Sequence, residues 1–254
     1  MIEKERQVQI MEKIRGSGFV SVRDLMKELN ASRSSIMRDL IALEEKGLLK
    51  REHGGASLPE ISDVLSKNTE QAVFEKEEVN ASVKRCIAAK AAAEAKSGSI
   101  LFVDSGTTAA FLADSLREKD VTIVTPSVYF IRKLGRQLRC RVFLLGGQYD
   151  SKYDMNAGEY AMDMLEYYRF DTAFMSANAI DLESGDVMTA DFALAAMKKA
   201  VMKRSRNRLL LADASKLGRL AACTFANVKD FRTIYISETK RSGLAENMIT
   251  AEEK

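Results

Sequence analysis

The sequence predicts an α/β protein: a small N-terminal winged helix-turn-helix followed by a Rossmann-like, mostly parallel α/β domain. Three observations carry that expectation. Residues 1–58 hold two short, capped helical patterns joined by a tight turn and followed by a glycine-tipped extended stretch. Gly54, Gly55, Ser57 and Pro59 then cluster and mark a boundary. From about Ser82 helical stretches alternate with the apolar runs ILFVD, VTIVTP, RVFLLGG, TAFMSA, RLLLAD and RTIYISE. That alternation is the pattern of a parallel sheet covered on both faces. Residues 59–80 are polar and read as a linker with some helix, 81–240 as the α/β domain, and 241–254 as a polar C-terminal tail.

In the first module, Ser21 followed by Asp24 gives a capping-box-like start to a helix through about Leu29, with Leu25, Met26 and Leu29 at helical spacing. Asn30-Ala31 makes the turn, and Ser32 caps a second helix whose Ile36, Leu40 and Leu43 form an i, i+4, i+7 stripe toward the core. Gly47 ends it. The opposite face carries Ser34, Arg38, Ile41 and Glu45, flanked by Arg33 and Met37. In a helix-turn-helix the N-terminal part of such a face, here Ser32 to Ser35 with Met37 and Arg38, is what meets the major groove of double-stranded DNA. Two extended segments around Gly54-Gly55 form the wing, where Lys46, Lys50, Arg51 and His53 stand ready to meet phosphates. The charge of this module does not choose between readings. Eleven Lys and Arg against ten Asp and Glu in residues 1–60 leave +1, which a plain solvated helical bundle explains equally well.

Composition narrows the chemistry. With 46% hydrophobic and 30% charged residues the chain has material for a sizeable core, and its net charge of +3 requires any DNA-facing surface to be local. Cys86, Cys140 and Cys223 are odd in number and widely spaced, which argues against disulfides or a zinc site and fits a reducing cytosol. His53 is the only histidine, so Ser-His-Asp catalysis and His-rich metal sites are not expected, and no cofactor is implied. The charged N-terminus is not a signal peptide, no apolar run approaches the length of a membrane span, and a cytoplasmic location is expected.

In the second domain, the run from Ile100 to Leu112 passes from a buried strand through Asp104-Ser105-Gly106-Thr107-Thr108 into a helix. Turns of this make hold phosphates with backbone N–H groups and hydroxyls at the positive end of a helix; they also serve as ordinary caps. Thr125, Pro126 and Ser127 follow the next strand, and Gly146-Gly147 another, where ligands of parallel sheets collect or a tight turn simply closes. Lys216 follows the strand RLLL, three residues after Asp213, and reads from the residues alone as a surface lysine paired with that aspartate.

The stretch SRSSIMRDLIALEEKGLLKREHGGA resembles the DeoR family of bacterial transcriptional regulators, matching at Ser32, Ile36, Arg38, Asp39, Leu40, Leu43, Glu44, Gly47 and His53 to Ala56. DSGTT, VTPS, LLGG, DTAFMSA, AID and LADASK continue the resemblance in order along the α/β domain. The family's effector domain is similar in fold to ribose-5-phosphate isomerase. The resemblance therefore implies a homo-oligomeric (dimeric or tetrameric) repressor of carbohydrate genes. One winged domain per subunit would dock a DNA half-site, and DNA affinity would answer to a phosphorylated sugar held by residues 104–108, Thr125, Ser127, Gly146, Gly147, Asn178 and Lys216. The alternatives are a sugar-phosphate isomerase with an accessory DNA-binding module and a ligand-independent architectural DNA binder. The enzymes of this fold carry two aspartates that fall here on Met175 and Asn178, neither of which acts as a base, while Asp181 and Asp171 lie off the matching positions. No catalytic residue is expected.

Departures from the family pattern bear on specificity. Ser35 stands for Thr, Met37 for Arg and Pro126 for Asn, while Ala177 and Ala179 replace glycines and Leu194 a glutamate. Met37 is expected to pack partly into the core, with contact to a thymine methyl as the other reading.

Overall fold

The computed structural model describes residues 3–45, 48–52, 54–57, 73, 76, 79–239 and 241–251. They fall into two compact units, 1–68 and 69–254. Lys46, Gly47, His53, the side chain of Glu45, and most of the expected linker lie outside the described residues.

The first unit is built from α1 (Glu3–Ser17), β1 (Phe19–Ser21), α2 (Val22–Glu28), α3 (Arg33–Glu45), β2 (Lys50–Glu52) and β3 (Gly55–Ser57). Ser21 caps α2 as expected: its hydroxyl oxygen accepts from the Asp24 N–H at 3.0 Å and donates to the Asp24 carboxylate at 2.7 Å. The three strands pair antiparallel in the order β1-β3-β2, so the wing folds back on the strand that precedes the helix pair. Gly55 makes that pairing possible. A Cβ there would stand 2.2 Å from the Val20 carbonyl oxygen and 2.4 Å from the Phe19 ring, so only glycine fits. Ile36, Leu40 and Leu43 of α3 are buried with Leu25, Leu29, Leu49 and Ala56. The core also takes Ile10, Met11 and Ile14 from α1, a helix hidden in the sequence by its surrounding charges. Asp39 binds α3 to α1. It is 1% exposed and accepts hydrogen bonds from Arg6 and from Gln7.

The second unit is an α/β sandwich. Its seven-stranded, all-parallel sheet runs, in spatial order, Met248–Ala251 (β15), Thr233–Ser237 (β14), Ser205–Ala212 (β12), Phe170–Ser176 (β9), Ile100–Val103 (β4), Thr122–Thr125 (β5) and Arg141–Leu144 (β6). All six apolar runs expected to be strands are strands. Alternate side chains feed two cores: Leu101, Val103, Phe174, Leu209 and Leu211 on one face, Phe102, Ala173, Met175, Leu210 and Ala212 on the other. The first face is covered by α4 (Ala81–Ala92) with α5 (Thr107–Ala110), α6 (Ala113–Leu116) and α7 (Val128–Leu134), and the second by α8 (Glu159–Glu166) and α9 (Phe192–Lys203). A small antiparallel sheet in the order β10 (Ala179–Ile180), β11 (Asp186–Thr189), β13 (Cys223–Asn227) and a hairpin of β7 (Gln148–Asp150) with β8 (Met155–Ala157) complete it.

Two expectations change. The residues read as a polar tail contain β15, an edge strand whose sequence MITA, half exposed, lacks the apolar run that marks its central neighbours. The helix expected to start at Thr107 is two four-residue pieces, broken where Phe111 and Leu112 bond back only three residues. Among the described residues no helix is long and apolar enough to cross a membrane.

Candidate functional site

A small cleft, open to solvent, lies at the carboxyl ends of the central strands β12, β9 and β4. Ser105, Gly106, Thr107 and Thr108 form one wall, Ser176, Ala177 and Asn178 the next, and Leu211, Ala212 and Lys216 the third. Lys76 and Lys198 add two further cations, and Tyr153, Thr189 and Leu194 close the rim. No carboxylate lines the cleft among the described residues. The arrangement is an array of hydroxyls, one amide and ammonium groups, one of them (Lys198) neutralised by an ion pair beneath the cleft, and it suits an anion that carries hydroxyls.

Under the cleft floor sits an ion pair that the sequence reading missed. Asp104, 3% exposed, and Lys198, 4% exposed, form a salt bridge. Asp104 also accepts from the Ser176 N–H at 2.8 Å, the Ser176 hydroxyl at 2.7 Å and the Ser105 N–H at 2.9 Å. The Lys198 ammonium donates further to the Ser176 carbonyl at 3.1 Å and Oγ at 3.3 Å. Burial opposes ionisation of Asp104, but the Lys198 charge and the bonds from Lys198 and Ser176 outweigh it and hold the carboxyl below its ordinary range. Asp104 therefore ties β4, β9 and α9 together, and it does not line the cleft as expected. Gly106 packs on the same cluster: a Cβ would lie 2.4 Å from Ser176 Cβ and Oγ. Its smallness allows that approach. One signal could have exposed Lys198: it is in phase with Leu194, Val201 and Met202, the buried stripe of α9.

The remaining expected residues divide. Asn178 lines the cleft, its Oδ1 accepting from the Thr189 hydroxyl at 3.1 Å. Lys216 lines it too, while the Asp213 carboxylate caps the short turn 214–216 by accepting from the Ser215 N–H at 3.0 Å. Thr125, Ser127, Gly146 and Gly147 do not line it. Thr125 and Ser127 are wholly buried. The first donates to the Val103 carbonyl at 2.7 Å and accepts from the Ser127 N–H, and the second caps α7 through the Phe130 N–H at 3.0 Å. The Gly146 N–H points at the Met164 sulfur, 3.1 Å away. A Cβ on Gly147 would meet the Ala157 carbonyl oxygen at 2.3 Å, so this pair makes the tight turn. Asp181 belongs to a turn, accepting from the Glu183 N–H and the Ser184 hydroxyl. Asp171 accepts from the Ile100 N–H at the opposite end of the sheet.

In the first unit, α3 presents Arg33, Ser34 and Arg38 to solvent. Ser32 caps it, accepting from the Ser35 N–H at 3.2 Å, and its hydroxyl lies 2.9 and 3.0 Å from those of Ser34 and Ser35. Arg38 Nε leans back to the Ser34 carbonyl at 3.4 Å. Met37 is half-buried and is not among the described residues packed into this core. Arg51 is held to α3, its N–H and Nε donating to the two Glu44 oxygens at 3.0 and 2.7 Å, and Lys50 lies beside it on β2.

Comparison with known proteins matches residues 6–62 to the DeoR-like helix-turn-helix domain and residues 79–238 to the DeoR C terminal sensor domain. The chain is 34% identical to the HTH-type transcriptional regulator FruR of Bacillus subtilis (strain 168), covering 91% of this chain and 89% of that one. It is 30% identical to the glycerol-3-phosphate regulon repressor of Escherichia coli (strain K12), covering 92% and 91%, and 32% identical to the lactose phosphotransferase system repressor of Staphylococcus aureus (strain NCTC 8325 / PS 47), covering 92% of each. A ribose 5-phosphate isomerase a from Methanocaldococcus jannaschii superposes on 54% of the chain, and 55% of its own, with a TM-score of 0.40 and 19% identity.

Proposed function

This chain belongs to the DeoR family of transcriptional regulators, and from that premise we propose that it is a homo-oligomeric repressor of carbohydrate-metabolism genes whose hold on its operator is set by a phosphorylated sugar in the cleft. The relatives named for glycerol-3-phosphate and lactose phosphotransferase regulation support the substrate class. The observation that carries the reading is the cleft itself: Lys76 and Lys216 line it with the hydroxyls of Ser105, Thr107 and Thr108, and no carboxylate lines it among the described residues. Lys216 and the hydroxyls offer donors to phosphate oxygens, and Asn178 to a sugar hydroxyl. Moving a proton between neighbouring carbons needs a base beside the ligand, and Asp104, held as an anion by Lys198, is committed elsewhere. The cleft accordingly grips without converting. In the first unit α3 enters the major groove, with Arg33, Ser34, Ser35 and Arg38 toward it, while Lys50 and Arg51 of the wing meet the backbone. A ligand that binds two subunit arrangements with different affinity shifts their balance and so the spacing of the DNA-reading helices; a coupling of about 1–3 kcal/mol changes operator affinity roughly five- to 150-fold.

Fluorescence anisotropy on the chain's own upstream DNA, titrated with a panel of triose, pentose and hexose phosphates, tests this. One member of the panel is expected to change operator affinity at least fivefold, and Lys216→Met to abolish that response while leaving ligand-free DNA binding intact. Turnover of any panel member by the purified protein refutes the reading.

A further inference from the structure

Ser34, Met37 and Ile41 follow one another at i, i+3 and i+7 and so form a single ridge along α3, Ser34 and Ile41 on the side opposite the buried Ile36, Leu40 and Leu43 and Met37 on its flank. The ridge is apolar from its second position on. Ile41 is 39% exposed, and Met37 is half-buried without joining the core. Arg33 and Arg38, both exposed, flank it. An apolar strip bordered by two guanidinium groups is a poor surface for water and a poor one for another apolar protein face, but it matches the floor of the DNA major groove. Phosphates there border a floor on which the only apolar projection is the C5-methyl of thymine.

Resting on the reading that α3 enters that groove, we infer that Met37 and Ile41 are specificity-determining residues that read thymine methyl groups in each operator half-site. The unbranched Met37 thioether adapts its three rotatable bonds to the methyl, and Ile41, one helical turn further on, covers the neighbouring step. Arg33 and Arg38 supply phosphate or guanine contacts on either side. A half-site for this chain therefore carries A·T pairs under the middle of α3, with thymine rather than cytosine or uracil required for full affinity.

Deoxyuridine differs from thymidine only by that methyl, so the DNA alone tests the inference without perturbing the protein. The full-length chain is titrated by fluorescence anisotropy, at fixed salt, onto its footprinted upstream duplex and onto copies carrying deoxyuridine at each thymidine in turn. Replacement of one or two thymidines per half-site is expected to weaken wild-type binding about threefold to tenfold, the size of one buried methyl group. Met37→Ala, Ile41→Ala and the double variant should bind the parent duplex more weakly, show little further loss with deoxyuridine, and keep the wild-type salt dependence. If complete replacement of thymidine leaves specific binding unchanged, or if the double variant still discriminates uracil from thymine, the inference is wrong. Absence of any specific binding to the parent duplex overturns the DNA-reading proposal itself, and is told apart because it precedes every substitution.

Discussion

Asp104 and Lys198 form the residue-scale hinge of the sensor domain: two charges, both almost wholly buried, satisfied by each other and by Ser176, with the Ser105 N–H adding a bond to Asp104. Removing one partner strands the other, so Lys198→Met should cost about 3–5 kcal/mol in urea denaturation, whereas a surface lysine such as Lys203 should cost almost nothing. Because the folded Asp104 carboxyl titrates below its ordinary value of 3.8, its contribution is complete above that value and fades as pH falls toward the folded pKa. Asp104→Asn is accordingly expected to lower the melting temperature at pH 7, and that difference is expected to shrink progressively in melts taken at pH values falling below 3.8. Half of this cluster was legible in the sequence. Asp104 is conspicuous at the end of an apolar strand, but reads as a ligand contact, since strand-end polar groups usually face the ligand in this architecture. Lys198 is invisible to any rule that places lysines on the surface. Thr125 and Ser127 mislead for a related reason: a hydroxyl after a strand can cap the next helix as readily as it can hold a phosphate, and only packing decides.

Among elements, the wing shows how the DNA-reading surface is held in shape. Glu44, near the end of α3, accepts two hydrogen bonds from Arg51 on β2, so the wing is fastened to the recognition helix by a surface pair worth about 0.2–1 kcal/mol. The roles of the two partners separate by salt. Arg51→Ala should weaken binding to any DNA sequence and reduce the salt slope of log K by about one phosphate contact, while Glu44→Ala should leave that slope unchanged; anisotropy from 50 to 300 mM salt distinguishes them. The helix pair, its caps and the glycine-tipped wing are legible in sequence because each has its own local signature. Helix α1 and strand β15 are not: one hides Ile10, Met11 and Ile14 among charges, and the other lies at a half-exposed edge where alternation replaces an apolar run.

At the scale of the whole molecule, the proposed switch obeys thermodynamic reciprocity. If a sugar phosphate weakens operator binding by some factor, saturating operator must weaken binding of that sugar phosphate by the same factor. Calorimetric titration of the sugar phosphate, with and without operator duplex, is expected to return equal factors, and unequal ones mean that the two sites are not linked through one equilibrium. The order of the large sheet has a further consequence, in time. Leu101 at its centre pairs with Thr172, about 70 residues later, and β9 in turn pairs with β12, whereas the first unit closes within its own residues. On a ribosome adding about 5–20 residues per second, the DNA reader is synthesised roughly 7–30 seconds before Lys216, the last residue of the ligand cleft. A messenger cut short between the two would yield a reader that lacks the cleft and so is deaf to metabolism.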